Sequence, residues 1–193
     1  MHRIPDASFA MLPPDTTIFS GFVAGVEDFW AQHQVLANPS ELLIGTTLYF
    51  FRLGHEPEWE VWPSGGAWRA EFVRSPLNET ALDSAWEALL LALIGEQLCD
   101  DPAEICGCEL SVKHSHTRLA LWTRTASAEQ VQRNIAMRAR LLLGEALKDI
   151  TWQYMPHTAK RRELTARKAS STMARGSTIV AEGNERGCAL YCL

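Results

Sequence analysis

The chain has 193 residues, 47% hydrophobic and 21% charged, which is enough for one well-packed core and short for two ordinary domains. A formal net charge of −5 argues against a protein that grips nucleic acid mainly through its phosphates, so any nucleic-acid contact must be local and specific. There is no run of 18 or more apolar residues, no signal-peptide core in Met1-His2-Arg3-Ile4-Pro5-Asp6, and an odd count of five cysteines; a soluble, monomeric, reduced protein of the cytoplasm, and secondarily the nucleus, with no membrane contact, is expected.

Residues 1–15 carry Pro5, Pro13 and Pro14 and read as an irregular segment with a short edge strand over Ser8 to Leu12. Thr16 to Val23 is rich in β-branched and aromatic residues and predicts a strand. From Val26 the spacing turns helical through Phe29, Trp30, His33 and Leu36, with Glu27 and Asp28 suited to the N-terminal dipole and Asn38-Pro39 as the stop. Thr46 to Leu53 and Gly66 to Arg74 predict two more strands, the second closed by Ser75-Pro76. The strongest helix is expected from about Glu79 to Leu98, where Leu82, Ala85, Trp86, Leu89, Leu90, Leu93 and Ile94 make a wide apolar face that needs a sheet to pack on. Ser127-Ala128-Glu129-Gln130 has the spacing of a capping box for a helix stopping at Gly144, and Asp149 to Met155 alternates as a strand. The core is thus expected over residues 16–157, followed by a basic segment, 158–193, with a last strand over Ser177 to Ala181.

Between the strands at 46–53 and 66–74 lies Glu56-Pro57-Glu58-Trp59-Glu60, fenced by Pro57 on one side and by Pro63 and Gly65-Gly66 on the other, which is the punctuation of a loop. An indole flanked by charge in a loop either offers a face to a ligand or folds back as an anchor with Glu60 solvated, and these residues alone leave both readings open. If the face is offered, Trp59 and Glu60 suit a flat, electron-poor ring with adjacent N–H donors, stacked on the indole while the carboxylate accepts both hydrogens. A guanine alkylated on its imidazole ring is such an object.

Glu109 to Lys113 and Arg118 to Thr123 predict a β-hairpin whose apolar face carries Leu110, Val112, Leu119 and Leu121 and whose other face carries Glu109, Ser111, Lys113, Arg118, Ala120 and Trp122. With residues 114–117 as the turn, Lys113 stands opposite Arg118. Such a like-charged pair is either two solvated side chains or the two walls of an anion site, and Trp122 on the same face favours a pocket for a base with its phosphates.

Two constellations look like metal sites and are read otherwise. Cys108 and His114 are separated by roughly 20 Å of extended strand, whereas the ligands of one zinc lie within about 4 Å of one another, so Cys106 and Cys108 are taken as core thiols and His114 and His116 as loop histidines. Glu96, Asp100, Asp101 and Glu104 are read as a solvated acidic turn. There is no phosphate-binding glycine loop and no serine elbow, so neither catalysis nor a cofactor is expected.

Val26-Glu27-Asp28-Phe29-Trp30, Glu56-Pro57-Glu58-Trp59-Glu60, Gly65-Gly66-Ala67-Trp68, Leu89 through Leu93-Ile94-Gly95-Glu96, Ile105-Cys106-Gly107 and Leu119-Ala120-Leu121-Trp122-Thr123 occur in one order. Over about Val26 to His157 that series resembles the cap-binding translation initiation factor 4E family, and the short length and divergent ends are most like its kinetoplastid paralogues, isoform five among them. The resemblance implies an α+β fold, a curved antiparallel β-sheet with about three long helices packed on its convex face and the cap in the concave one. It implies that Trp59 stacks on 7-methylguanine, Glu60 pairs with the guanine edge, Trp122 lies against the methyl group, and Lys113 and Arg118 hold the phosphates. The implied ligand is capped mRNA, with an ordinary or a hypermethylated cap (cap-4). Val26, Trp30 and Leu91 resemble the groove that takes a scaffold factor 4G-type protein or a repressor.

Departures from the pattern qualify this. No tryptophan precedes Trp30, so Met11 or Phe9 is expected to supply the second stacking surface, more weakly than indole. Ala67 stands where many members carry arginine, leaving the basic tail from Lys160 to Arg175 to compensate, and Glu87 and Ala88 alter the partner groove. The readings to set against a cap receptor are a cap-inactive interaction module of the same fold and a metal-dependent nucleotide hydrolase built on the acidic cluster.

Overall fold

The structure is a computed structural model that describes residues 9–11, 21–23, 25–55, 57–144 and 150–158. Within these, β1 (Phe9–Met11), β2 (Gly21–Val23), β3 (Thr47–Arg52), β4 (Gly66–Val73), β5 (Ile105–Val112), β6 (His116–Thr123) and β7 (Gln153–Pro156) form one antiparallel sheet in the order β2-β1-β3-β5-β6-β4-β7. The sheet is curved and unclosed, and α1 (Val26–His33), α2 (Pro76–Ile94) and α3 (Glu129–Leu143) pack on one face of it. This is the expected architecture, except that α1 has only 8 residues.

Strand alternation decides which face the helices take. Leu110 pairs with Leu119, Cys108 with Leu121 and with Phe50, and this apolar row continues through Trp68, Ala70 and Phe72 of β4. On top of it α2 buries Leu82, Ala85, Trp86, Leu89, Leu90 and Leu93, the stripe read from the helical spacing. Cys106 and Cys108 are buried in this sheet, and burial pushes the Cys106 thiol up to about 12 and the Cys108 thiol well above the usual range.

Element ends differ from expectation for local reasons. α2 starts at Pro76 rather than near Glu79, because Ser75 takes the N-cap position and proline fits the first helical position, where its missing N–H has no helical partner to lose. It stops at Ile94 instead of Leu98, where the Gly95 N–H bonds the Leu91 carbonyl and Glu96 turns to a φ of 50°. α3 has Ala128 rather than Ser127 at its N-cap, so the expected capping box does not form. The strand anticipated over Ser8 to Leu12 is β1, but it is no edge, since β2 and β3 flank it. The possible strand over Ser177 to Ala181 and the basic tail lie outside the described residues.

The acidic cluster is a solvated turn only in part: Asp100 and Asp101 are exposed, whereas Glu96 is largely covered and Glu104 is buried. Glu96 is paired with Arg52 at 2.9 Å, Asp100 pairs with Arg138, Asp101 caps a 3-10 turn by accepting from the Ala103 N–H, and Glu104 is buried. Oε1 of Glu104 accepts from the Thr125 N–H at 2.8 Å and from Gln132 Nε2 at 3.0 Å, tying α3 to the end of β6. These four carboxylates hold separate structural partners and do not converge on one point. Glu104→Ala removes the acceptor of the Thr125 N–H and one of the two acceptors of the buried Gln132 amide, which keeps its bond to the Thr125 carbonyl, and is expected to lower the unfolding free energy by about 1–3 kcal/mol in urea titration.

Candidate functional site

The sheet face away from the helices carries three rows of cross-strand neighbours. Thr47, Ser111, Arg118 and Glu71 form one; Tyr49, Glu109, Ala120 and Arg69 the next; Phe51, Gly107, Trp122 and Ala67 the third. Ala120, the small member of the middle row, separates Glu109 from Arg69. Over this floor hangs the loop between β3 and β4. Pro57, Glu58, Trp59 and Glu60 of that loop enclose, with Tyr49, Arg69, Glu109, Arg118 and Trp122, a cavity of about 390 Å³.

The loop is held by its base. The Gly65 N–H bonds the Trp62 carbonyl at 2.9 Å, the Ala126 N–H bonds the Ser64 carbonyl at 2.7 Å, and the Nδ1 hydrogen of His157 goes to the Trp62 carbonyl at 2.8 Å. A side chain at Gly65 would run into the carbonyl oxygen of Thr123, so only glycine lets the loop return this close to β6. Trp59 is half-buried, with part of its ring against the core and part lining the cavity, which joins the two possibilities its sequence context left open. Glu60 beside it is exposed.

Trp122 is only 4% exposed and lines the cavity from the floor. Phe51 and His157 meet its ring at centroid distances of 5.4 and 4.8 Å, both near edge-on, and its indole Nε1–H donates to Glu109 Oε2 at 3.2 Å. The other oxygen of Glu109 accepts from Arg118 Nη2 at 2.6 Å. Burial alone would lower the Arg118 pKa, but the charge of Glu109 and its hydrogen bond outweigh that and raise it above the usual arginine value.

The two cations are not opposite one another. The Lys113 N–H bonds the His116 carbonyl at 2.9 Å and Ser111 is the cross-strand partner of Arg118, so the hairpin turns on His114-Ser115 alone. A tighter turn than residues 114–117 shifts the pairing by two positions, which keeps both cations on the predicted face but makes them diagonal neighbours. Lys113 is exposed at the hairpin end and is not among the residues lining the cavity.

Phe9 and Met11, expected to supply the second stacking surface, belong to β1. The register pairs Ala10 with Phe51 and Phe9 with Arg52, so Ala10 is in line with the row that carries Trp122, while Phe9 and Met11 occupy the alternate positions of β1. On the helical face, Val26 and Trp30 of α1 and Leu91 of α2 remain 42%, 37% and 39% exposed. The two helices border a separate cavity of about 170 Å³ lined by His33, Leu36, Trp86 and Glu87 among others.

The family model described as eukaryotic initiation factor 4E matches residues 19–172. The chain belongs to the eukaryotic initiation factor 4E family. Isoform 4E-2 of Oryza sativa subsp. japonica is 41% identical over 115 residues, 58% of this chain and 53% of its own length. Isoform 4E of Nicotiana tabacum is 34% identical over 144 residues, covering 74% and 68%. The match thus spans about half of the rice relative and about two thirds of the tobacco one. Among solved structures, a complex of C. elegans eIF4E-3 with the 4E-binding protein Mextli superposes with a TM-score of 0.74 at 24% identity, over 83% of this chain and 96% of that one. Ascaris suum eIF4E-3 with an m2,2,7G cap does so with a TM-score of 0.72 at 26% identity, over 81% and 92%.

Sequence reasoning missed three residues of the lining in this initiation factor 4E family chain: Tyr49, Arg69 and Glu109. Two of them had a legible signal. Arg69 lies two residues beyond Ala67, on the same strand face as the position where many members carry arginine, and Glu109 was already on the hairpin's polar face, where only the cations drew notice.

Proposed function

We propose that this chain is a non-enzymatic receptor for the 7-methylguanosine cap of mRNA, acting in translation. What carries the reading is the joint lining of one cavity by Trp59, Glu60, Trp122 and Arg118, which come from a loop and two ends of a strand. In this reading the methylated base stacks on Trp59, the Glu60 carboxylate accepts from the guanine N1 and N2 hydrogens, and Trp122 bounds the methyl group. Arg118 takes the first phosphates, with Arg69 as a second guanidinium and Lys113 reached only by the far end of the phosphate chain. Methylation gives the base a positive charge, strengthening both the stack and the Glu60 contact; stacking is worth about 1–3 kcal/mol per base and a charge-assisted hydrogen bond about 1.5–3 kcal/mol. In this reading the contacts serve binding rather than bond cleavage.

Titration of tryptophan fluorescence with 7-methylguanosine triphosphate and with GTP tests this directly. Saturable quenching by the methylated nucleotide with much weaker response to GTP is expected; equal responses would leave the interaction-module reading. A chromatographic check with magnesium present should find the cap analogue intact, where the hydrolase reading requires turnover.

The half-exposed Val26, Trp30 and Leu91 support a second contact, with an amphipathic helix of a scaffold factor 4G-type protein or a repressor. The C. elegans eIF4E-3 complex with Mextli is a family precedent for a protein partner. Trp30→Ala is expected to weaken capture of a 4E-binding protein tenfold or more, at about 1.4 kcal/mol per decade, while cap-analogue affinity stays at the wild-type value.

A further inference from the structure

Glu109 is out of place for a residue that is 6% exposed in the middle of a sheet. Both of its oxygens are engaged, one by the Arg118 guanidinium and one by the Trp122 indole, and it lies on the floor of the cavity beneath the Trp59 loop. It therefore touches the residue assigned to the phosphates and the residue assigned to the methylated base. The lining as a whole holds three carboxylates, Glu58, Glu60 and Glu109, against two guanidiniums, Arg69 and Arg118.

We propose that Glu109 is a specificity-determining residue that makes the pocket select for positive charge on the base more than for the number of phosphates. The inference rests on the cap-receptor reading and deepens it. An arriving phosphate has to share Arg118 with a carboxylate already bonded to it at 2.6 Å, and the two anions repel across a partly desolvated site. A cationic base meets the opposite condition: the water-shielded Glu109 carboxylate, bonded to the indole that bounds the base, draws a positive charge there and offsets the repulsion from Arg118, and gives little to the neutral counterpart. Glu109 also fixes the plane of Trp122 through the indole hydrogen bond, so the ring bounding the base and the cation serving the phosphates are set by one side chain.

The test uses Glu109→Gln, which keeps the volume and an acceptor for Trp122 and removes the charge. Calorimetric affinities for inorganic triphosphate, 7-methylguanosine and its triphosphate are measured for both proteins at one ionic strength. Inorganic triphosphate should bind the variant about fivefold or more tighter, and the ratio of triphosphate to nucleoside affinity should rise by a similar factor. Unchanged or weaker triphosphate binding by a variant with the wild-type melting curve overturns the proposal, leaving Glu109 a pin for Trp122. If the variant does not fold, the wild type decides: its nucleotide should exceed its nucleoside affinity by less than about a hundredfold, and a larger ratio overturns the proposal. Because inorganic triphosphate has no base, its response to Glu109→Gln stands or falls separately from cap recognition, which fails only if the wild type does not prefer the methylated nucleotide.

Discussion

Trp59→Ala is expected to weaken binding of 7-methylguanosine triphosphate by between about fivefold and 150-fold, the equivalent of the about 1–3 kcal/mol carried by one base–aromatic stack. The loss should be methyl-dependent, because the stack is strongest for the cationic base, so the preference over GTP should shrink along with the affinity. Trp59 also packs in part on the core, and a fall in melting temperature by itself would not locate it in the site. Trp59→Phe separates the two effects: it retains a π-face on the same loop and should recover most of the affinity, whereas a role confined to anchoring the loop predicts that Phe and Ala variants track their stabilities. The loop base supports the interpretation, since the bonds at Gly65, Ser64 and Trp62 are accepted by main-chain carbonyls and do not involve the Trp59 ring. An alanine variant binding as well as wild type would remove Trp59 from the pocket's function.

What the sequence made legible follows from how local the governing physics is. Strand alternation put Glu109, Ser111, Lys113, Arg118, Ala120 and Trp122 on one face without any knowledge of the third dimension, and the rows of the sheet have that composition. The register was not legible, because it depends on whether His114-Ser115 or a longer stretch closes the hairpin, and that choice moves Arg118 from Lys113 to Ser111. The same limit applies to the acidic cluster. Glu96 and Glu104 look like solvated charge in a linear chain, yet Arg52 lies 44 residues away from the one and Gln132 lies 28 away from the other. Family resemblance carried Trp59, Glu60 and Trp122 to one cavity, whereas Phe9 and Met11 came from counting residues, which carries no information on the register in which β1 pairs Ala10 with Phe51. Glu109 illustrates the remaining gap: its face was predicted, its partners were not, since a carboxylate between an arginine and an indole depends on how two strands are registered rather than on any window of sequence.

Gly107→Ala is expected to cost about 2–6 kcal/mol of folding stability, a large loss for one added methyl group. Gly107 has a φ of 157°, where a side-chain-bearing residue is strained by about 1–3 kcal/mol. A Cβ there would also stand 2.6 Å from the Phe51 Cα and closer still to the Phe50 carbonyl oxygen, both backbone groups of the neighbouring strand. Neither can swing aside as a flexible side chain could, so overpacking adds about 1–3 kcal/mol. Against a typical total of about 5–15 kcal/mol, the variant is expected to unfold at markedly lower urea, read by far-ultraviolet dichroism. Gly45→Ala is the matched control: its φ is 96°, but nothing lies within 4 Å of the added Cβ, so it should carry the backbone strain without the collision. If the two variants lose equal stability, close approach of β3 to β5 is not what requires the glycine. The position matters to function as well as to folding, because Gly107 faces Trp122 across β5 and β6 while Phe51 touches the Trp122 ring from β3. Separating β3 from β5 at this point would tilt that ring and lengthen its bond to Glu109. The folded fraction of the variant should therefore bind the cap analogue more weakly than wild type, whereas Gly45→Ala should bind it normally.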